Sequence, residues 1–310
     1  MIEIIEITTN YKSDAECFIA LGNFDGVHLA HRKLLNNLVK SSKKSNSKSA
    51  ILAFKNHTKN IINKSPQRLL TSNDQKYSKL EEIGINICYE IIFNEDLMKM
   101  SARDFIEELL YKNLNVRGIV VGFDYRFGHK ASGDIHLLRE ICDELGISLV
   151  IIDEVIINEN IVSSTLIRKL IEDGNVEDVK DYLGSDFKIS GKIIHGKKLG
   201  TKMGIPTANI AIDTNYVIPK FGVYDTTIII DGVEHKAATN VGKNPSVENS
   251  GLRIESHIID FNEDIYDKKI ELVLHKFVRD ELKFDTVEDL FSQMSKDVEL
   301  IRNNSIAKNI

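Results

Sequence analysis

Cys17-Phe18-Ile19-Ala20-Leu21-Gly22-Asn23-Phe24-Asp25-Gly26-Val27-His28-Leu29-Ala30-His31 joins an apolar run to the start of a helix. Unbroken apolar residues over 17–21 read as a strand buried on both faces. Beyond the turn, residues 31–40 place Leu34, Leu35, Leu38 and Val39 on one helical face. The unit recurs: runs at 51–54, 87–93, 118–122 and 148–152 alternate with helix-period segments at 101–112 and 134–145. Ser101 is the expected N-cap of the first of these. Strands alternating with helices predict an α/β domain, a parallel sheet doubly wound by helices. Ligands of such sheets bind at the carboxyl ends of the strands. The polar stretch 41–49, between helix and strand, reads as a solvated loop.

The rhythm changes after Gly184. Short runs at 188–194, 222–230, 235–240, 253–261 and 269–277 are separated by Gly, Asn, Asp and Pro turns, which predicts an antiparallel sandwich or barrel. A helix opened by Thr286 closes the chain, with Leu290, Phe291, Met294, Val298 and Ile301 at helical spacing. The expected seam gives domains 1–183 and 184–310, in keeping with the length of 310 residues. A hydrophobic content of 42% with 28% charge excludes a disordered chain. No apolar run approaches the ~18–20 residues of a bilayer span. The N-terminus carries acids where a signal peptide carries bases, so a cytoplasmic protein is expected. Three scattered cysteines without a CxxC argue against disulfides and zinc. The net charge of −6 divides as −4 and −2 between the halves, which excludes a bulk positive field for nucleic acid. Small-molecule partners, no membrane, and a monomer or weak homo-oligomer are expected.

Two constellations point to phosphate. His28 and His31, three apart, share a face at a helix N-terminus, where free N–H groups favour anions. Two imidazoles there suit a triphosphate; a surface or metal-binding pair is the plainer alternative. Ser163-Ser164-Thr165-Leu166-Ile167-Arg168 combines hydroxyls, a helix start and an arginine one turn on. By itself it reads equally as a well-capped structural helix. In the second half, Lys188, Lys192, Lys197, Lys198 and Lys202 are interleaved with Gly191, Gly196, Gly200 and Gly204 and contain no acid between them. Such a stretch suits a nucleotide, though each lysine alone reads as a solvated turn. Thr207 and Asn209, two apart in an extended segment, offer hard oxygen ligands on one side. Glu255 shares a strand face with Arg253 and His257, against Ile254 and Ile258 on the other.

HxxH with SSTxxR resembles the adenylyltransferase superfamily. Gly122-Phe123-Asp124-Tyr125-Arg126-Phe127-Gly128 with Gly133-Asp134 is similar to the flavin adenylyltransferase motif. Leu199-Gly200 with Gly204-Ile205-Pro206-Thr207-Ala208-Asn209 resembles the riboflavin kinase signature. Asn240-Val241-Gly242, Glu255, Asp264-Ile265-Tyr266 and Arg279-Asp280-Glu281 with Phe284 continue it in order. The whole chain thus resembles the bacterial bifunctional riboflavin kinase/FAD synthetase family. That resemblance implies a Rossmann-like nucleotidyltransferase domain followed by a six-stranded kinase barrel. It implies phosphorylation of riboflavin to FMN, adenylylation of FMN to FAD, ATP as co-substrate and Mg²⁺ as cofactor. It implies an adenylyltransferase ATP site of Asn23, Phe24, Asp25, Gly26, His28, His31, Ser163, Ser164, Thr165 and Arg168. Phe54, His57, Asp124, Arg126 and Phe127 would meet its flavin. In the kinase, Gly191, Gly196, Lys198, Gly200, Gly204, Pro206, Thr207 and Asn209 would bind ATP, with Thr207 and Asn209 on the metal. Asn240, Glu255, Arg279 and Phe284 would meet riboflavin, and His28, His31, Arg168 and Glu255 would be the catalytic residues. Ala30 stands at a family glycine and Thr58 at a frequent family proline. Two rivals are an adenylyltransferase for another phosphorylated small molecule and a flavin-binding regulator with a decayed transferase site. Retention of the residues above speaks against the second.

Overall fold

Gly22 and Gly122 each close a central strand of one parallel sheet, and that adjacency organises the first half of the molecule. The structure is a computed structural model and describes residues 1–55, 67–196, 205–243 and 252–304. Packing divides the chain into two compact units, Met1–Gln67 with Asn73–Ser164, and Arg68–Ser72 with Thr165–Ile310.

The first unit holds β1 (Glu3–Ile7), β2 (Cys17–Leu21), β3 (Lys48–Phe54), β4 (Ile87–Ile91), β5 (Val116–Gly122) and β6 (Ser148–Ile152) in the order β1-β4-β3-β2-β5-β6. Every pairing in it is parallel. β2 is buried at all five positions, as its apolar run requires. The order reverses at β2, flanked by β3 and β5, which opens a crevice at its carboxyl end. Helices α1 (Leu29–Lys44), α2 (Asn73–Ile83), α3 (Glu95–Lys99), α4 (Ala102–Asp104, continuing as a π-wound segment Phe105–Asn113) and α5 (Ile135–Leu145) surround the sheet. One core cluster gathers Ile19, Leu109 and Val121, and a second Phe18, Leu35 and Val120, one on each face. Ser101 and Asp134 cap their helices through the side chain, as expected of Ser101. A small antiparallel hairpin, β7 (Ile156–Ile157) and β8 (Asn160–Ile161), follows β6.

Several elements differ from the sequence expectation. The loop expected over 41–49 is shorter, because α1 continues through Lys44 and β3 begins at Lys48. Ser42 is buried and donates to the Val39 carbonyl at 3.0 Å, so it sits on the helix without opening it. β1, α2 and α3 were not anticipated; their apolar patterns are short and interrupted by charge.

In the second unit, α6 (Ser164–Asp173) and α7 (Val176–Leu183) precede a closed barrel. Its strands are β9 (Phe187–Ile194), β10 (Ala208–Ala211), β11 (Gly222–Ile230), β12 (Val233–Lys243), β13 (Leu252–Ile258) and β14 (Lys269–Arg279). They close in the order β10-β13-β12-β11-β14-β9, all antiparallel, with β9 meeting β10. Ile189, Ile193, Tyr224, Ile228, Ile254, Leu272 and Leu274 fill the interior. A buried hydroxyl chain crosses it. Thr226 bonds Thr239 at 2.7 Å, Thr239 bonds Ser256 at 2.7 Å, and Thr226 donates to the Ala237 carbonyl at 2.9 Å. These contacts satisfy three buried hydroxyls and lock β13 in register. With Ser256 inside, Glu255 and His257 must face out. The terminal helix α8 (Val287–Asn304) starts where Thr286 accepts from the Asp289 N–H at 3.1 Å. It packs Val298 and Ile301 against Val223 and Ile259.

Candidate functional site

The turn after β2 is strained. Phe24 (φ 51°) and Val27 (φ 49°) adopt left-handed backbone beside Gly26 (φ 83°). For the two non-glycine residues that costs on the order of 1–3 kcal/mol each, and their complete burial holds it. The turn delivers His28 to the N-cap of α1, where its Nδ1 accepts from the His31 N–H at 3.3 Å. An accepting Nδ1 places the ring hydrogen on Nε2, so Nε2 of His28 is a donor. The two imidazoles stack with centroids 3.6 Å apart and planes 16° apart. The Phe24 ring is buried and lies edge-to-face with the His31 imidazole, centroids 5.3 Å apart. Ser164 Oγ donates to the Asp25 carbonyl at 3.2 Å, and Lys79 Nζ to the Gly26 carbonyl at 3.2 Å. Ser164 is thereby brought to the histidine loop. Lys79 was not singled out in the sequence; it comes from the unanticipated α2. The signals for α2 were Ser72-Asn73 ahead of it and Gly84 behind. Ala30 lies in the first turn of α1, where alanine is a favoured helix former.

The other adenylyltransferase candidates lie at the carboxyl ends of neighbouring strands. Phe54 ends β3 and meets Phe93 edge-on at 5.3 Å. Asp124 and Arg126 are exposed after β5, Arg126 lying 3.6 Å from Asp134. The N–H of Leu137, then that of His136, hold the Asp134 carboxyl below its usual range, and Arg126 adds to this. Phe127 is buried, stacked on Tyr125 and pressed against Gly133, where a Cβ would come within 2.8 Å of its ring. It anchors the loop from within the core. His57 lies outside the described residues. Thr165 and Arg168 belong to the second unit, where Arg168 Nε donates to the Arg68 carbonyl at 2.8 Å. The cysteines take no part: burial pushes the thiols of Cys17, Cys88 and Cys142 each up to about 12.

On the barrel, register lines up the kinase candidates. Asn209 of β10 pairs with Glu255 of β13, which pairs with Asn240 of β12. The three occupy one row on the outer face. A cavity of about 330 Å³ lies over this row, lined by Asn240, Glu255, Arg279 and Phe284, with Leu290 and Met294 of α8 as an apolar wall. Arg279 is clamped by Asp297 of α8, through Nε at 3.0 Å and Nη2 at 2.6 Å, so it ties the wall to the barrel. A second cavity, about 310 Å³, is lined by Pro206, Phe261, Asp264 and Tyr266. Thr207 lines both. Asp297 and the helix wall were invisible as site residues in sequence, although the helical spacing of Leu290 and Met294 was legible.

Two glycines separate by role. Gly191 lies mid-strand in β9, where a Cβ would come within 2.6 Å of Ile210; its smallness serves barrel packing. At Gly196 a Cβ would come within 2.0 Å of the Asn209 amide nitrogen. Gly196→Ala must therefore displace the Asn209 amide. On the ATP role that the resemblance implies for Asn209, the substitution is expected to raise the KM for ATP in riboflavin phosphorylation about tenfold and to leave adenylylation of supplied FMN unchanged, as steady-state kinetics of each half-reaction would show. Lys198, Gly200 and Gly204 lie outside the described residues.

Comparison with known proteins gives each unit its relatives. Residues 10–166 match the FAD synthetase family and residues 183–305 the riboflavin kinase family. The chain is 38% identical over 298 residues to the bifunctional riboflavin kinase/FMN adenylyltransferase of Buchnera aphidicola subsp. Schizaphis graminum, covering 94% of this chain and 95% of that one. This chain belongs to the bifunctional riboflavin kinase/FMN adenylyltransferase family. The protein of that name from Listeria monocytogenes is 33% identical, covering 94% of this chain and 93% of its own. A crystal structure from Streptococcus pneumoniae, described as a macrolide-efflux protein, superposes with a TM-score of 0.88 at 28% identity, over 97% of this chain and 99% of that one. No helix among the described residues is long and apolar enough to cross a membrane. The family assignment agrees with the parallel sheet, the closed six-stranded barrel and the terminal helix described above.

Proposed function

We propose that this chain performs two consecutive steps at separate sites. Residues 184–310 transfer the γ-phosphate of ATP to the 5′-hydroxyl of riboflavin, giving FMN and ADP. Residues 1–183 transfer the adenylyl group of a second ATP to the FMN phosphate, giving FAD and pyrophosphate. The observation that carries the reading is the row Asn209–Glu255–Asn240, with Thr207 facing a cavity on either side. Riboflavin occupies the cavity walled by Leu290 and Met294, and ATP the one lined by Phe261 and Tyr266. Glu255 accepts the ribityl hydroxyl proton as that oxygen attacks the γ-phosphorus and ADP departs. Asn240 and Phe284 orient the flavin, while Arg279 holds α8 over it.

The donors at the head of β10 fit magnesium. The Thr207 hydroxyl and Asn209 amide oxygen are hard neutral ligands, and Gly196 leaves room for the amide. When bound there, Mg²⁺ supplies charge to balance the phosphates.

In the adenylyltransferase, His28 Nε2–H and the His31 ring donate to the ATP phosphates at the positive end of α1. The FMN phosphate oxygen attacks the α-phosphorus, and the bond to pyrophosphate breaks. Ser163, Ser164, Thr165 and Arg168 serve the phosphates by the family motif. Asp124 and Arg126 meet the flavin from the loop after β5. The experiment is incubation with riboflavin, ATP and Mg²⁺, separating the products. FMN, FAD, ADP and pyrophosphate are expected together. FMN and ADP alone would mean a kinase only, and neither flavin product would sink the reading.

A further inference from the structure

His257 shares the outer face of β13 with Glu255 and lines the same cavity. Its Nδ1 lies 2.8 Å from the Pro206 carbonyl oxygen. A carbonyl can only accept, so Nδ1 carries the hydrogen and donates it. The location gives this bond weight. The ladder between β10 and β13 has two paired positions, Ala208 with Ser256 and Asn209 with Glu255. β9 and β14, by comparison, pair at six positions. The β10–β13 seam is short and stops at Ala208. Just beyond it stand Thr207, which faces both cavities, and Pro206, which has no N–H to give to a ladder. The imidazole takes over where backbone pairing ends.

We propose that His257 is a positioning residue for phosphoryl transfer. By holding the Pro206 carbonyl it fixes the peptide that carries Thr207, and so sets Thr207 relative to Glu255 in the cavity that both line. The inference rests on the kinase site proposed above. It predicts that nucleotide use suffers more than flavin use, because the held segment serves the phosphates.

The test compares four variants of the full-length chain. His257→Ala is expected to lower kcat/KM for ATP in riboflavin phosphorylation by about tenfold or more, misplacement of about 1 Å being enough for such a loss. The KM for riboflavin should stay within about threefold. His257→Asn puts an amide nitrogen near the place of Nδ1 and should recover most of the loss. His257→Gln places its amide near Nε2 and should not. A second readout needs no turnover: backbone amide exchange over 205–211 should accelerate in the Ala and Gln variants and not in the Asn variant. Adenylylation of supplied FMN checks that each variant is folded. Equal kinetics for His257→Ala and the parent, or an Asn variant no better than Ala, would overturn the proposal. Glu255→Gln is run alongside: if it still phosphorylates riboflavin at the parental rate, the kinase site itself is misassigned and the inference falls with it. If Glu255→Gln is dead and His257→Ala is unimpaired, the role of His257 alone fails.

Discussion

His28→Asn should lose FAD formation by about 10²–10³-fold while riboflavin is still phosphorylated to FMN. The choice of Asn separates two jobs done by one ring. His28 Nδ1 caps α1 by accepting from the His31 N–H, while Nε2 carries the donor assigned to phosphate. Asn is a strong N-cap, so it keeps the first job and loses the second. His28→Ala loses both. Its cap loss is worth about 1 kcal/mol, or a melting midpoint lower by about 2–4 °C. The expected pattern is two variants equally poor at adenylylation, of which only Ala melts early. An Asn variant that makes FAD at the parental rate would reduce His28 to a helix cap. Loss of both flavin steps in a stable protein would overturn the two-site reading.

The second large effect is expected at Glu255. Glu255→Gln preserves shape and removes the proton acceptor, so FMN formation should fall by about 10²–10⁴-fold. Supplied FMN should still become FAD. Fold stability should barely move, because the Glu255 side chain is 31% exposed and its ion-pair partner among the described residues, Arg253 Nη1, is 3.9 Å away. Rapid-quench measurement of ADP formed per site would place the loss in the transfer step. An unchanged burst would assign Glu255 to flavin binding instead.

Both predictions concern residues that could be named before any fold was known. The reason differs between them. The His28 loop is local: strand, turn and helix lie within residues 17–44, so spacing alone puts the two histidines on one face at a helix start, and the resemblance then implies their phosphate role. Glu255 is non-local. By alternation alone it is one more outward strand residue, and its standing came from resemblance. Only the barrel puts both Asn209 and Asn240 beside it, from positions 46 and 15 residues earlier in the chain.

Other residues changed meaning when packed. Phe127 and Phe24 stand in motifs to which the resemblance gives ligands, and the structure buries both rings, one stacked on Tyr125 and the other edge-to-face with His31. Gly191 stands in a lysine–glycine stretch suited to a nucleotide, yet the space it leaves is filled by Ile210. Lys79 and Asp297 sit in helices whose patterns carried no chemical signal.

The chain's sequence by itself determined the alternation that makes a parallel sheet, the turn-rich second half and the motifs that name two phosphate chemistries. These are legible because hydrophobic period and short motifs are properties of neighbouring residues. Tertiary structure decided which outward residues share a cavity, that Gly196 leaves room for the Asn209 amide while Gly191 leaves it for the core side chain of Ile210, and that His257 meets Pro206. Those facts depend on register between distant strands. A slip of one residue would turn Glu255 into the barrel, and only the closed, fully packed interior, with its chain of bonded hydroxyls, forbids it.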